Sequence, residues 1–205
     1  FVAVSCALIA GTIGTLIGYA VAKNRRSKWA SYVNAMAFLP YLMPSIAVGA
    51  AFFILFSNEK INLFNTYTLL IITGTIKYIP FASRSALNSM LQLSNEIEEA
   101  AIIDGCGPFS LYGRVIMPLA KPAVSTVVIY DILHTWNEFI YAMTLVDSKE
   151  RMTLPVGLKN FYGEAAVNIP AIMCAVFISS LPVIIAYFSA QEQISNGLTQ
   201  GAVKG

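Results

Sequence analysis

Five apolar runs, each near or above the ~20 residues a helix needs to cross a hydrocarbon layer, constrain this 205-residue chain more than any other feature. They extend from about Phe1 to Ala22, Trp29 to Phe56, Leu63 to about Phe81, Ala123 to Val146 and Ile169 to about Ala190. A chain that is 57% hydrophobic and only 12% charged lies outside the usual range for a soluble domain. In lipid every backbone N–H and C=O must be satisfied within the protein. The expected fold class is therefore all-α, a polytopic transmembrane bundle formed by residues 1–205 as one domain, with a polar segment over 83–122.

Charge sets the orientation. Lys23, Arg25, Arg26, Lys28, Arg84, Arg114, Lys121 and Lys204 collect on one side of the spans, and Lys60, Lys149, Arg151 and Lys159 on the other. The richer side is expected to be cytoplasmic, which places 83–122 and the tail inside and the loop from Asp147 to Asn168 outside. An odd number of spans then puts Phe1 outside, in the middle of an apolar run, so an upstream span is expected. The net charge of +2 gives no reason to expect a nucleic-acid partner. Cys6, Cys106 and Cys174 have neither C-x-x-C nor metal-ligand spacing and read as small reduced packing residues.

Two spans carry interruptions. Gly11, Gly14 and Gly18 put small residues at helical spacing in the first, including one G-x-x-x-G, which permits close helix contact. In the second, Pro40 and Pro44 each remove an N–H and crowd the preceding turn. A kink or break is expected there, made either for packing or to line a cavity.

The polar segment has its own punctuation. Asn95 can cap a helix whose third position is Glu98, and Glu96 to Asp104 makes about 13 Å of helix. Gly105 is placed to end it in a left-handed turn, and Gly107-Pro108 to start a second helix that Pro118 stops. Ala100 and Ala101 thin one side of the first helix, next to Glu98 and Glu99. Such a helix suits a groove on another protein with a basic residue in it, although a surface helix that merely joins two spans has the same chemistry.

The spacing of this segment narrows the choice. Glu99-Ala100-Ala101, then Gly105 after three residues, then Val115-Ile116-Met117-Pro118 after nine more, resembles the signature loop of permease subunits of binding-protein-dependent ABC importers. Val115 and Met117 stand where that loop has Ile and Leu. The resemblance implies a MetI-like transmembrane domain in the cytoplasmic (inner) membrane of a prokaryote. It also implies a coupling helix at Glu98, Glu99, Ala100, Ala101, Asp104, Gly105 and Pro118 that docks on a cytoplasmic ATPase dimer. The further partners it implies are a second permease subunit, an extracytoplasmic solute-binding protein and membrane lipid.

Cargo is carried by a different part of the chain. Trp136-Asn137-Glu138-Phe139, Thr153 to Leu158 and the tail from Gly197 to Gly205 are similar to the maltose-type carbohydrate branch. Leu39 to Pro44 and Lys77 to Ser85 look at least as much like ferric-ion or aminoethylphosphonate permeases. In the fourth span Asp131, His134 and Glu138 fall on one helical face, where ionisable groups normally face a bundle interior or watery cavity. With Tyr130, Trp136, Asn137 and Tyr141 they suit stacking on a sugar ring and binding its hydroxyls, or they pair with neighbouring helices. Lys77 is expected to snorkel to the cytoplasmic interface. With one histidine in the chain and no phosphate-binding G-x-x-x-x-G-K motif, no catalytic residue, metal site or cofactor is expected. A non-transporting membrane scaffold is the alternative from another class.

Overall fold

The computed structural model describes residues 1–58, 61–91, 95–159 and 169–202. Its elements are all helical: α1 (Val2–Lys23), α2 (Lys28–Leu42), α3 (Ser45–Phe56), α4 (Tyr67–Met90), α5 (Asn95–Ile103), α6 (Pro108–Leu111), α7 (Met117–Trp136), α8 (Ile140–Leu145), α9 (Leu154–Lys159) and α10 (Ile169–Ala202). A π turn over Tyr112–Ile116 joins α6 to α7. Loop residues 160–168, Lys60 and the end of the tail, 203–205, lie outside the described residues.

The α1–α4 pair forms the centre, and it does so through the glycines. A Cβ on Gly14 would stand 2.3 Å from Ala82 Cβ, and one on Gly18 2.7 Å from Ala86 Cβ. The G-x-x-x-G edge of α1 thus meets a small-residue edge of α4, bringing the two backbones closer than larger side chains allow. Gly11 turns the same closeness on α7, 2.9 Å from Val128 Cγ2.

Two helices, Val2–Lys23 and Ile169–Glu192, are individually long and apolar enough to cross a membrane. Two bent pairs qualify jointly: α2 with α3 at 98°, and the stretch Pro108–Pro122 with Val124–Trp136 at 64°. That gives up to four such spans among the described residues, against an expectation of five. The difference is α4, which carries Lys77 and Arg84 as well as the buried Thr73, Thr75 and Ser83. A helix enclosed by protein does not need a lipid-compatible surface all round.

Helix ends follow local chemistry. Thr66 caps α4 by accepting from Leu69 N–H at 3.2 Å. The α2–α3 break falls at Met43, which is extended (φ −90°, ψ 131°) because Pro44 disfavours a helical residue before it. Pro118, expected to stop a helix, instead sits in the first turn of α7. The π turn ahead of it lets Met117 N–H reach Tyr112 O, five residues back, where the wider spacing accommodates the ring. The fourth span, expected to be continuous from Ala123 to Val146, starts earlier and breaks between Trp136 and Ile140.

Two apolar clusters close the bundle at its ends. Leu69, Leu70, Tyr141, Ala142, Leu145, Val146 and Val156 form one, and Met90, Leu111, Ile116 and Ala120 the other. Next to the first, Asn65 Oδ1 accepts from Asp147 and Ser148 N–H, each at 3.2 Å, pinning the α3–α4 turn to the segment after α8. Most of α10 faces outward, with Met173, Phe177, Ile185 and Phe188 exposed as on a lipid-facing helix. Cys6 is buried as expected, whereas Cys174 lies exposed on α10.

Candidate functional site

Both mid-span breaks open on one cavity. It encloses about 500 Å³ between the α2–α3 corner (Tyr41, Met43, Ser45), the middle of α4 (Lys77, Tyr78, Phe81) and the α7–α8 break (Tyr130, His134, Asn137 to Tyr141). Of the residues singled out in the fourth span, Tyr130, Asn137, Glu138, Tyr141 and His134 are brought together here.

Two are not. Trp136 donates from Nε1 to Ser179 O at 3.2 Å and so fastens α7 to α10. Asp131 is fully buried away from the cavity, with neither carboxylate oxygen hydrogen-bonded among the described residues. The expected common face fails at Asp131, which shares α7 with His134 but is buried in the bundle, whereas Glu138 lines the cavity from beyond the end of α7 at Trp136.

The break is held by its own side chains. Asn137 Nδ2 donates to Leu133 O at 2.9 Å, closing the end of α7. Glu138 Oε2 accepts from Tyr141 N–H at 2.9 Å and Ala142 N–H at 3.4 Å, satisfying donors that begin α8. Its Oε1 meets Lys77 Nζ at 3.3 Å. Lys77 therefore turns into the cavity instead of snorkelling outward, with Nζ 4.9 Å from the Tyr141 ring centroid.

The remaining wall is aromatic. Tyr41 meets Phe81 edge-on at 5.4 Å, Phe81 lies 5.5 Å from Tyr130, and Tyr130 lies 4.1 Å from His134. The arrangement offers ring faces, the phenols of Tyr41, Tyr78, Tyr130 and Tyr141, an imidazole and an amide around an ion pair that is already matched. Among the described residues no three His, Cys, Asp or Glu side chains gather as a metal site.

A second feature lies beyond the Met90 cluster, on α5. Its C-terminus is a Schellman turn: Gly105 has φ +84°, Gly105 N–H reaches Ile102 O at 3.0 Å and Cys106 N–H reaches Ala101 O at 3.0 Å. Gly107 precedes α6 and Pro108 opens it. The Asn95 side-chain cap lies outside the described residues. Successive residues point about 100° apart on a helix, which divides the two acid–alanine pairs. Glu98 turns inward to Lys23 Nζ at 3.0 Å, and Ala101 packs beside the Met90 cluster. Glu99, Ala100, Asp104 and Gly105 face outward, as does Pro118. Glu99 makes no ion pair among the described residues, and Ile103 and Phe109 beside it are 85% and 93% exposed.

The family model described as "Binding-protein-dependent transport system inner membrane component" matches residues 14–200. A putative ABC transporter permease protein, ORF2, of Caldicellulosiruptor sp. (strain Rt8B.4) is 41% identical over 148 residues, covering 72% of this chain and 54% of that protein. The trehalose transport system permease protein SugB of Mycobacterium tuberculosis (strain CDC 1551 / Oshkosh) is 33% identical over 205 residues, covering 97% of this chain and 72% of SugB. The chain spans about half the length of several such curated relatives. In fold it is similar to a chain of the MetNI methionine ABC transporter in an inward-facing conformation, with TM-score 0.69 at 15% identity, over 96% of this chain and 93% of that one. The chain belongs to the family of binding-protein-dependent transport system inner membrane components, with a MetI-like helical fold.

Proposed function

We propose that the chain is the permease subunit of an ATP-driven importer that moves a mono- or oligosaccharide across the cytoplasmic membrane by alternating access. The observation that carries this reading is the single cavity shared by the α2–α3 and α7–α8 breaks. Its volume falls in the usual range for small-molecule sites. Aromatic faces and neutral hydrogen-bonding groups suit a polyhydroxyl ring, and the name of SugB supports a sugar cargo. A ferric ion would want free carboxylates, and the carboxylate that lines the cavity, Glu138, is already neutralised by Lys77. A phosphonate would want a free cation, and Lys77 is engaged for the same reason.

In this reading α5 is the coupling helix within 83–122, and Glu99 is the residue that meets a basic partner on a cytoplasmic ATPase dimer. ATP hydrolysis belongs to that partner, and the chain itself is not catalytic. Closure of the ATPase pair is passed through α5 and the Met90 cluster to the broken helices, whose corners give discrete points for rearrangement. A second permease subunit supplies the other side of the pathway, and an extracytoplasmic solute-binding protein delivers the sugar. The basic α1–α2 turn then lies on the cytoplasmic side.

The direct test is uptake of labelled sugars by the assembled transporter carrying Tyr130→Ala or Asn137→Ala. Loss of one ring face or one amide is expected to lower uptake about tenfold and to alter the order of preference among sugars. Unchanged rate and selectivity in both variants would sink the cavity assignment.

A further inference from the structure

A groove on the outer face of the bundle remains unused by the transport reading. It encloses about 330 Å³ and is lined by Ile17 of α1, Trp29, Val33, Met36 and Pro40 of α2, and Ile79 of α4, among other apolar side chains. From Trp29 to Pro40 it follows α2 for about 16 Å, close to one leaflet's share of the ~30 Å hydrocarbon layer. Its lining is apolar, as an acyl chain requires.

The end near Trp29 is built differently. Trp29 and Tyr32 stack with ring centroids 5.8 Å apart and planes 9° apart, and they are 71% and 55% exposed. Amphipathic rings of this kind settle at headgroup depth. Immediately before them come Arg25, Arg26 and Lys28, all exposed. None of the three makes a hydrogen bond or ion pair among the described residues, whereas the neighbouring Lys23 is taken by Glu98. Glu99 shares an adjoining groove with Arg25 and Arg26, and the turn stays net positive.

We infer that this groove is a binding site for an anionic phospholipid, with one acyl chain along α2 and the headgroup phosphate at Arg25, Arg26 and Lys28. Apolar length, an aromatic collar and unpaired cations occur in the order that such a lipid presents tail, glycerol region and phosphate. A zwitterionic lipid would fill the groove without using the charges. Basic pockets beside membrane helices select acidic headgroups on this principle.

The test uses the full chain in its assembled transporter, reconstituted in phosphatidylcholine bilayers containing brominated phosphatidylglycerol or brominated phosphatidylcholine. The signal is the part of the tryptophan quenching that Trp29→Phe removes. That part is expected to be about fivefold or more stronger with the brominated phosphatidylglycerol. The preference should fall to parity in the triple variant Arg25→Gln, Arg26→Gln, Lys28→Gln, and also in the unsubstituted protein at high salt. The salt arm keeps the test valid where the triple variant does not insert. Equal quenching by the two lipids would overturn the inference in favour of ordinary annular lipid. Quenching by neither would overturn it in favour of another protein segment in the groove.

Discussion

Glu138 meets three donors at once, two backbone N–H groups at the start of α8 and the Lys77 ammonium across the cavity. A carboxylate so placed is a joint between α4 and the α7–α8 break, and its side chain is only 10% exposed. Removing either charge leaves the other poorly solvated. Lys77→Met and Glu138→Gln should each lower the stability of the purified protein by about 1–3 kcal/mol, read as a drop in thermal midpoint. The double variant should recover most of that loss, because no unpaired charge remains. Additive losses would show that the pair is not coupled. Asp131 is the counterexample three and seven residues away in sequence from His134 and Glu138: it shares their composition signal but is buried with no partner among the described residues. The spacing of acids along an apolar run therefore identified where the polar residues are, but not which of them face the cavity.

At the scale of elements, close approach decides more than hydrophobicity. The α1–α4 contact leaves no room for a Cβ on Gly14, which would also meet Ala82 C and Ser83 N at 2.8 Å. Gly14→Ala should cost about 1–3 kcal/mol by forcing the helices apart, measured as a lower thermal midpoint, while Gly113→Ala, with open space around it, should not. Equal midpoints for the two variants would contradict the packing described. The glycine edge, the Pro40–Pro44 break and the Gly105 turn were all legible in the sequence, because glycine and proline act on the backbone wherever they stand. The α7–α8 break was not. Asn137 and Glu138 interrupt an apolar run without any backbone constraint, and they become caps only once the chain has bent. The continuation of α4 past Ser83 was hidden for a related reason, since Ser83 and Ala86 read as neutral until the glycines of α1 are set against them. Pro118 misled in the opposite sense, because a π turn absorbed the ring that was expected to end the helix.

Over the whole molecule the two features stand at different levels of the same bundle. The cavity lies beside the middle of α4, and the exposed edge of α5 lies beyond the cluster at Met90. Lys23 of α1, in ion pair with Glu98, and Ala101, packed beside that cluster, tie α5 to the helices that carry the cavity. Such a tie lets displacement of one be felt at the other through packed side chains. The helical fold was legible from the apolar runs and the family from one polar segment, whose turn chemistry and spacing occur together. Which residues face the cavity depended on the two breaks and became visible only in three dimensions. Coupling to the ATPase through α5 is tested most directly by Glu99→Lys. In the assembled transporter the variant should insert in normal amount while sugar uptake and substrate-stimulated ATP hydrolysis both fall about tenfold or more; normal uptake with Lys at position 99 would contradict it.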